Sequence, residues 1–285
     1  MTVRVGNTLA VAALVVLVAA ACSAGATPGT SPGAATPAPT AAASSTGVPG
    51  ASITVYAAAS LSAALARVKA AYESANPGTT ITISTGSSAA LETQIEQGAP
   101  ADVFLSADTA NPQKLVTAGL AAGSPVKFAG NLLTVIVPQA NPAGITSPAD
   151  LAKSGVKVIA AGDSVPITKY AKQLVANLAG EPGYPADFAA RYAANVVSKE
   201  DNVAAVVSKI ELGEGDAAIC YVTDARTSST VKTIDVPVTA NVPATYAGVV
   251  VKGSKNPAAT SAFLGWLAGS GGQAILASFG FLPPS

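Results

Sequence analysis

Residues 53–61 read ITVYAAASL, a β-type run that passes through small residues into a serine. The next apolar residues recur at spacings of three and four, which places them on one face of a helix: Leu61, Leu65, Val68 and Tyr72. Asn76-Pro77-Gly78 ends that helix, and Thr80–Ser84 is again β-type. A strand, a helix and a second strand in this order predict parallel strands covered by helices, hence an α/β fold.

The alternation breaks once, after a β-type run at residues 132–137 that is followed by a loop rich in Pro, Gly and Asn. It restarts at residues 156–160, and a later β-type run at 248–251 can return the chain to its first part. We therefore predict two lobes, each a mainly parallel sheet flanked by helices, with two crossover strands as the hinge. Residues 52–132 and 244–285 are assigned to lobe I, and residues 133–243 to lobe II.

The charge and composition exclude several classes of function. Sixteen basic and sixteen acidic side chains cancel, so no nucleic-acid-binding surface is indicated. The 285 residues contain no histidine, which removes the Ser-His-Asp triad, the Cys-His dyad and His-ligated zinc. Cys220 lies in the apolar run 217–221 and is expected to be a small buried side chain, not a nucleophile. The sequence therefore favours a binding protein over an enzyme.

The first 22 residues have the layout of a lipoprotein signal peptide: a basic residue, an apolar run and small residues before Cys22. A thiol at this place resembles the acylated cysteine of a bacterial lipobox, and the alternative is a plain Ala-x-Ala signal. Residues 23–51 consist almost wholly of Ala, Pro, Gly, Ser and Thr, which predicts a disordered tether. We expect an extracytoplasmic protein anchored to the outer face of the cell membrane by a lipid on Cys22.

Two turns in the first part of the chain carry a serine after a strand: AAASL at 57–61 and TGSSA at 85–89. The N-terminus of a helix offers free N–H donors and a partial positive charge, and a serine hydroxyl adds a further donor for an oxyanion. Ser60 and Ser88 are therefore candidate ligands. The alternative is that both serines merely cap their helices.

The second half of the chain offers three similar places, the loop Gly162–Ile167, the stretch Glu200–Val203, and Tyr221 at the end of a β-type run. Asp163, Glu200 and Asp201 would repel an anion if they pointed inward, or they cap their helices. Tyr221 either lends its hydroxyl to a ligand or packs in the core. These alternatives stay open on the sequence alone.

Taken together, ITVYAAASL at 53–61, GSS at 86–88 and QIEQGAPADVFLSAD at 94–108 resemble the molybdate-binding proteins of bacterial ABC importers. The resemblance continues through GDSVP at 162–166, YAK at 170–172, DNV at 201–203 and YVTDA at 221–225, and it covers residues 52–285. It implies a type II periplasmic-binding-protein fold. Where relatives usually read a small residue and Gly after Val-Pro, this chain has Ile167-Thr168-Lys169.

The resemblance also implies a function and a site. The ligand would be molybdate, with tungstate as a second ligand, held through its oxygens by Ser60, Ser88, Tyr221 and the backbone N–H groups of Ile167 and Val203. It implies no cofactor, no metal cation, a monomer and an ABC permease as partner. A fully deprotonated oxyanion offers only acceptors, which suits a shell made only of donors. The alternative is a sulfate- or phosphate-type oxyanion-binding protein.

Overall fold

The computed structural model describes residues 50–284. The expected signal peptide at 1–22, Cys22 and residues 23–49 of the expected tether lie outside the described residues. The strands are β1 Ser52–Ala58, β2 Thr80–Gly86, β3 Val103–Ser106, β4 Val126–Asn131, β5 Leu133–Pro138, β6 Val158–Ala161, β7 Val196–Glu200, β8 Ala217–Tyr221, β9 Val231–Ile234 and β10 Ala244–Val250. The α-helices are α1 Ser62–Ala75, α2 Ser88–Glu96, α3 Ala110–Thr117, α4 Pro166–Leu178, α5 Phe188–Ala194, α6 Val203–Glu211, α7 Val222–Thr227, α8 Pro257–Ala268 and α9 Ser270–Ser278.

The strands form two five-stranded sheets, in the orders β2-β1-β3-β10-β4 and β7-β6-β8-β5-β9. In the first sheet β1 pairs in parallel with β2 and β3, and only β10 runs against its neighbours. In the second sheet β6 pairs in parallel with β7 and β8, and only β5 runs against its neighbours. The prediction of two mainly parallel sheets flanked by helices is confirmed.

The core explains why these strands read as nearly continuous apolar runs. Ile53, Val55 and Ala57 of β1 have no exposed surface, and every residue of β5 from Leu133 to Val137 is buried. Such runs are typical of sheets that helices cover on both faces. On α1, Leu65, Val68 and Tyr72 are buried as the helical spacing predicted. Cys220 is a free and fully buried cysteine, also as predicted.

The chain crosses between the sheets twice. The first crossing is short, because β4 ends at Asn131 and β5 begins at Leu133. The return runs through residues 235–243 into β10, where the amide of Asn241 bonds both backbone groups of Leu133 at 2.8 and 3.0 Å. The two crossings therefore lie side by side. Within residues 50–284 the longest helices fall short of the length and apolarity that a membrane span requires.

Candidate ligand-binding site

A small cavity lies where the two lobes meet. The structure brings all five residues that the sequence singled out as ligands onto this one cavity: Ser60, Ser88, Ile167, Val203 and Tyr221. The rest of its lining is uncharged, and all of it but Asn202 is small or apolar: Ala58, Ala59, Gly86, Ser87, Ala107, Val165, Pro166 and Asn202. The cavity is far smaller than the 300–1,000 Å³ usual for drug-sized ligands, so any ligand that it holds must be small.

The site lies at the carboxyl ends of the strands. Ser60 follows β1 and Ser88 follows β2, while in the second sheet Ile167 follows β6, Val203 follows β7 and Tyr221 ends β8. Neighbouring parallel strands end at the same edge of a sheet, and open α/β sheets bind ligands there. The fold therefore brings residues from distant parts of the sequence to one place.

Neither Ser60 nor Ser88 is the N-cap residue of its helix, so the alternative that both merely cap their helices is wrong. Ser87 is the N-cap residue of α2 and Ser88 its first residue, whereas Ser60 lies in a short 3₁₀ turn at Ala59–Leu61 before α1. Ser87 makes no capping hydrogen bond with its side chain. Its buried hydroxyl oxygen has no partner among the described residues, and Ser87 lines the same cavity as Ser88. Ser87 is thus a candidate ligand that the sequence reasoning missed.

Ser88 is set up to donate. Its Oγ accepts the backbone N–H of Ala107 at 3.1 Å, and the residue is 1% exposed. Because this N–H can only donate, the hydroxyl hydrogen of Ser88 remains for another acceptor. The cavity is where that acceptor would lie.

The starts of α4 and α6 contribute backbone donors. Pro166 is the first residue of α4, so the first N–H of that helix belongs to Ile167. At α6 the side chain of Asn202 accepts the N–H of Ala205 at 3.1 Å and leaves the N–H of Val203 open. The first N–H groups of a helix have no partner inside it, and they carry the positive end of its dipole. Each helix therefore adds a donor and partial positive charge at the cavity.

Tyr221 carries the fourth hydroxyl at the cavity. It is 1% exposed, and its Oη has no partner among the described residues. Its ring meets those of Tyr246 and Tyr170 edge to face at 5.7 and 6.4 Å. Burial raises the pKa of Tyr221 well above its usual value, so the hydroxyl keeps its hydrogen and can donate it. Two of the three buried side-chain atoms left unpartnered in residues 50–284, those of Ser87 and Tyr221, thus line one cavity.

The acidic residues that the sequence left open do not line this cavity. Asp163 is largely exposed and pairs with Lys199 at 2.7 Å and Lys172 at 2.9 Å, and these two lysines lower its pKa to about 2. Glu200 pairs with Lys209 at 3.1 Å, and Asp201 is exposed. Across residues 50–284, no cluster of three or more Cys, Asp or Glu is arranged to hold a metal ion. The lining therefore presents donors without carboxylate acceptors.

A buried carboxyl lies behind Tyr221. The side chain of Asp224 accepts the N–H of Tyr221 at 3.3 Å, and burial raises the pKa of Asp224 to about 7. Below that pH the group is mostly neutral, so it does not oppose an anion in the cavity. As the pH rises through 7, its charge would increasingly do so.

A larger cavity of about 280 Å³ lies within the second lobe, between α4, α5 and the sheet. Its lining is mostly Ala, Val and Ile side chains with Tyr192. Its charged groups, Asp163, Lys172 and Lys199, pair with one another. An apolar cavity of this kind offers a small dianion few donors, so the smaller cavity is the better candidate for an oxyanion site.

Two α/β lobes that meet at a small donor-lined cavity define the class of two-lobed solute-binding proteins. The chain belongs to the family of bacterial extracellular solute-binding proteins, whose model matches residues 53–282. It is 35% identical over 234 residues to the molybdate-binding protein ModA of Mycobacterium tuberculosis, which covers 82% of this chain and 85% of that protein.

Two solved structures share the fold. The periplasmic molybdate-binding protein of Azotobacter vinelandii matches with a TM-score of 0.69 and 24% identity, over 82% of this chain and all of that one. The sulfate-binding protein SubI of Mycobacterium tuberculosis matches with a TM-score of 0.71 and 23% identity, over 82% and 87%. At these identities the two structures establish the two-lobed architecture, and the ligand has to be argued from the site.

Proposed function

We propose that this protein binds molybdate, with tungstate as a second ligand, and delivers it to an ABC permease. The observation that carries the proposal is that the buried hydroxyls of Ser87 and Tyr221, which have no partner among the described residues, line the same cavity. Leaving a buried hydroxyl unpaired costs about 1–3 kcal/mol, so a bound acceptor is the expected explanation. The similarity to a molybdate-binding protein supports the choice of ligand.

The donor set suffices for tight binding. Three serine hydroxyls, the Tyr221 hydroxyl and the N–H groups of Ile167 and Val203 give a shell that can only donate to a dianion. Six such bonds at about 1.5–3 kcal/mol each give roughly 9–18 kcal/mol before ordering costs. Micromolar or tighter binding is consistent with that range.

Sulfate is the alternative that a specific observation favours, since a sulfate-binding protein shares the fold. Sulfate has the same charge and tetrahedral shape as molybdate and is smaller, so cavity size must discriminate between them. Hydrogen phosphate is a weaker candidate, because its hydrogen needs an acceptor and the lining holds no carboxylate.

The test is a thermal-shift panel on the ligand-free protein with molybdate, tungstate, sulfate and phosphate at equal concentrations. A ligand that binds only the folded state raises the melting temperature, and at equal concentration a tighter ligand raises it more. We expect large shifts with molybdate and tungstate, a small one with sulfate and none with phosphate. A larger shift with sulfate than with molybdate would contradict the proposal and favour the alternative.

We further propose that residues 52–132 and 244–285 form lobe I and residues 133–243 form lobe II. The division follows the sheets, because β1 to β4 and β10 share one sheet and β5 to β9 the other. Closure of the lobes around the ligand would be a hinge motion at the two crossings. Apart from Tyr221, the cavity holds no side chain that commonly serves as an acid or base, which supports a carrier and not an enzyme, and we propose that this carrier is a monomer.

We also propose an extracytoplasmic location, with a signal peptide at 1–22 and a lipid on Cys22 that anchors the protein to the membrane. The small residues before Cys22 and the Pro-rich stretch after it support the proposal. The test is metabolic labelling with a palmitate analogue in the native host, with Cys22→Ser as the matched control. Label on the wild-type chain alone is expected, and an unlabelled chain released to the medium would indicate a plain signal peptide.

A further inference from the structure

Behind Ser60 lies a chain of buried hydrogen bonds that the proposed function has not used. The Oγ of Ser60 is 2.9 Å from the Oη of Tyr246, and the Nδ2 of Asn131 is 3.3 Å from that same Oη. Asn131 also donates to the Oγ1 of Thr223 at 2.8 Å. Tyr246 has no exposed surface, and Asn131 and Thr223 are 1% and 2% exposed. Water therefore does not substitute for any of these partners.

The orientation of the Asn131 amide is fixed by the backbone. Its Oδ1 accepts the N–H of Leu132 at 3.0 Å, so its Nδ2 must be the atom that faces the two hydroxyls. An amide nitrogen only donates, and Tyr246 therefore uses its acceptor side toward Asn131. The one hydrogen of the Tyr246 hydroxyl is left for Ser60.

The direction of these hydrogen bonds, from Asn131 to Tyr246 and from Tyr246 to Ser60, determines which group Ser60 can offer to a ligand. If Ser60 accepts from Tyr246, its own hydrogen stays free, and it lies on the wall of the cavity. Ser88 likewise accepts a hydrogen bond, here from the N–H of Ala107, and a backbone N–H can only donate. A tyrosine hydroxyl can reverse, but with Asn131 donating to it, reversal would leave the buried Tyr246 hydrogen without an acceptor among the described residues.

We propose that Asn131 and Tyr246 are positioning residues that make Ser60 a one-way donor, and thereby select oxyanions without a hydrogen against those that carry one. The inference rests on the proposed function and deepens it. Ser60 accepts from Tyr246 and its own hydrogen needs an acceptor, which a bare oxyanion oxygen supplies; turning the serine to accept the P–O–H of hydrogen phosphate would leave that serine hydrogen unpaired. Asn131 ends β4 at the crossing and Thr223 lies on α7, so the same bonds tie the ligand serine to the second lobe.

The test uses the full mature chain and measures the ratio of Kd for phosphate to Kd for molybdate by calorimetric competition at pH 8. Both anions are then dianions, so a change in the electrostatic potential at the cavity affects their binding alike. The ratio therefore reports on the one hydrogen that phosphate carries and molybdate lacks. Tyr246→Phe leaves Ser60 able to donate to molybdate but frees it to accept the hydrogen of phosphate, so the ratio is expected to fall about 10-fold, the value of one charge-assisted hydrogen bond. Tyr72→Phe, another buried tyrosine that packs on Phe263 and Trp266, is the matched control and should leave the ratio unchanged.

Asn131→Asp provides the second variant, because a carboxylate there accepts from Tyr246 and reverses the chain. Ser60 then donates to Tyr246 and presents its acceptor side to the cavity, so the ratio should fall below that of Tyr246→Phe. A ratio within twofold of wild type in both variants, with molybdate still bound, would overturn the inference and leave the proposed function standing. If the wild-type cleft prefers sulfate, the ratio is measured against sulfate, which also carries no hydrogen at pH 8. A wild-type chain that binds no oxyanion would overturn both.

Discussion

Replacing Ser88 by alanine and Tyr221 by phenylalanine together is expected to weaken molybdate binding about 100- to 10,000-fold, since each lost bond to the dianion removes about 1.5–3 kcal/mol. Each single change should account for roughly half of that loss in free energy, as expected for donors on opposite lobes that do not touch. Isothermal titration of the three variants measures this directly.

The stability of the ligand-free protein gives an independent check on the same variants. The Oη of Tyr221 is buried without a partner in residues 50–284, so Tyr221→Phe removes a cost of about 1–3 kcal/mol and should not lower the free energy of unfolding. The double variant Ser208→Ala and Tyr72→Phe, which changes the same residue types away from the cavity, is the control and should bind normally. Unchanged affinity in the double variant of the cavity would contradict the site.

The second large effect concerns a backbone donor. Val203 is the first residue of α6, a position at which proline is tolerated, and Asn202 before it is extended with φ −159° and ψ 170°, as a residue preceding proline requires. Val203→Pro should therefore keep the helix while deleting the N–H that faces the cavity. We expect binding to fall by at least about 10-fold, the value of one hydrogen bond to a charged acceptor.

Val203→Ala separates the backbone donor from the side chain. It keeps the N–H and removes only the two methyl groups, so its affinity should stay within about threefold of wild type. Circular dichroism and the melting temperature of the ligand-free variants establish that both still fold. Equal losses in the proline and alanine variants would mean that the side chain, and not the N–H of Val203, matters to the ligand.

The fold was largely predictable because its signals are local. The run at 53–57 and the helical spacing of Leu61, Leu65, Val68 and Tyr72 each lie within one element, and the structure has β1 and α1 at those places. The positions of Ser60, Ser88 and Tyr221 after their strands also follow from local order. Their convergence follows from the rule that parallel strands end at one edge.

Other features were beyond the sequence for physical reasons. The difference between Ser87 and Ser88 depends on a helix boundary of one residue, and boundaries are the least certain part of any pattern. Tyr246 meets Ser60 across 186 residues of sequence and Asn131 across 115, so no spacing indicates the contact. The pairing of Asp163 with Lys172 and Lys199, which keeps its charge away from the cavity, likewise depends on the folded geometry.

Molybdate and sulfate are the two ligands that are hardest to tell apart at this cavity. Both anions accept hydrogen bonds from every donor at the cavity, so the donor set alone does not separate them. Selection must come from how well the closed lobes fit the larger tetrahedron, with each donor at bonding distance. Affinity in the presence of the competitor is therefore more informative than affinity alone.

The most direct measurement is a calorimetric titration of the ligand-free protein with molybdate in millimolar sulfate. We expect one molybdate to bind per chain, and we expect millimolar sulfate to lower the apparent affinity for molybdate only slightly. Loss of the molybdate signal in sulfate would contradict molybdate as the ligand and make the protein a sulfate-type receptor. No heat of binding, with or without sulfate in the buffer, would contradict the donor-lined cavity as an oxyanion site.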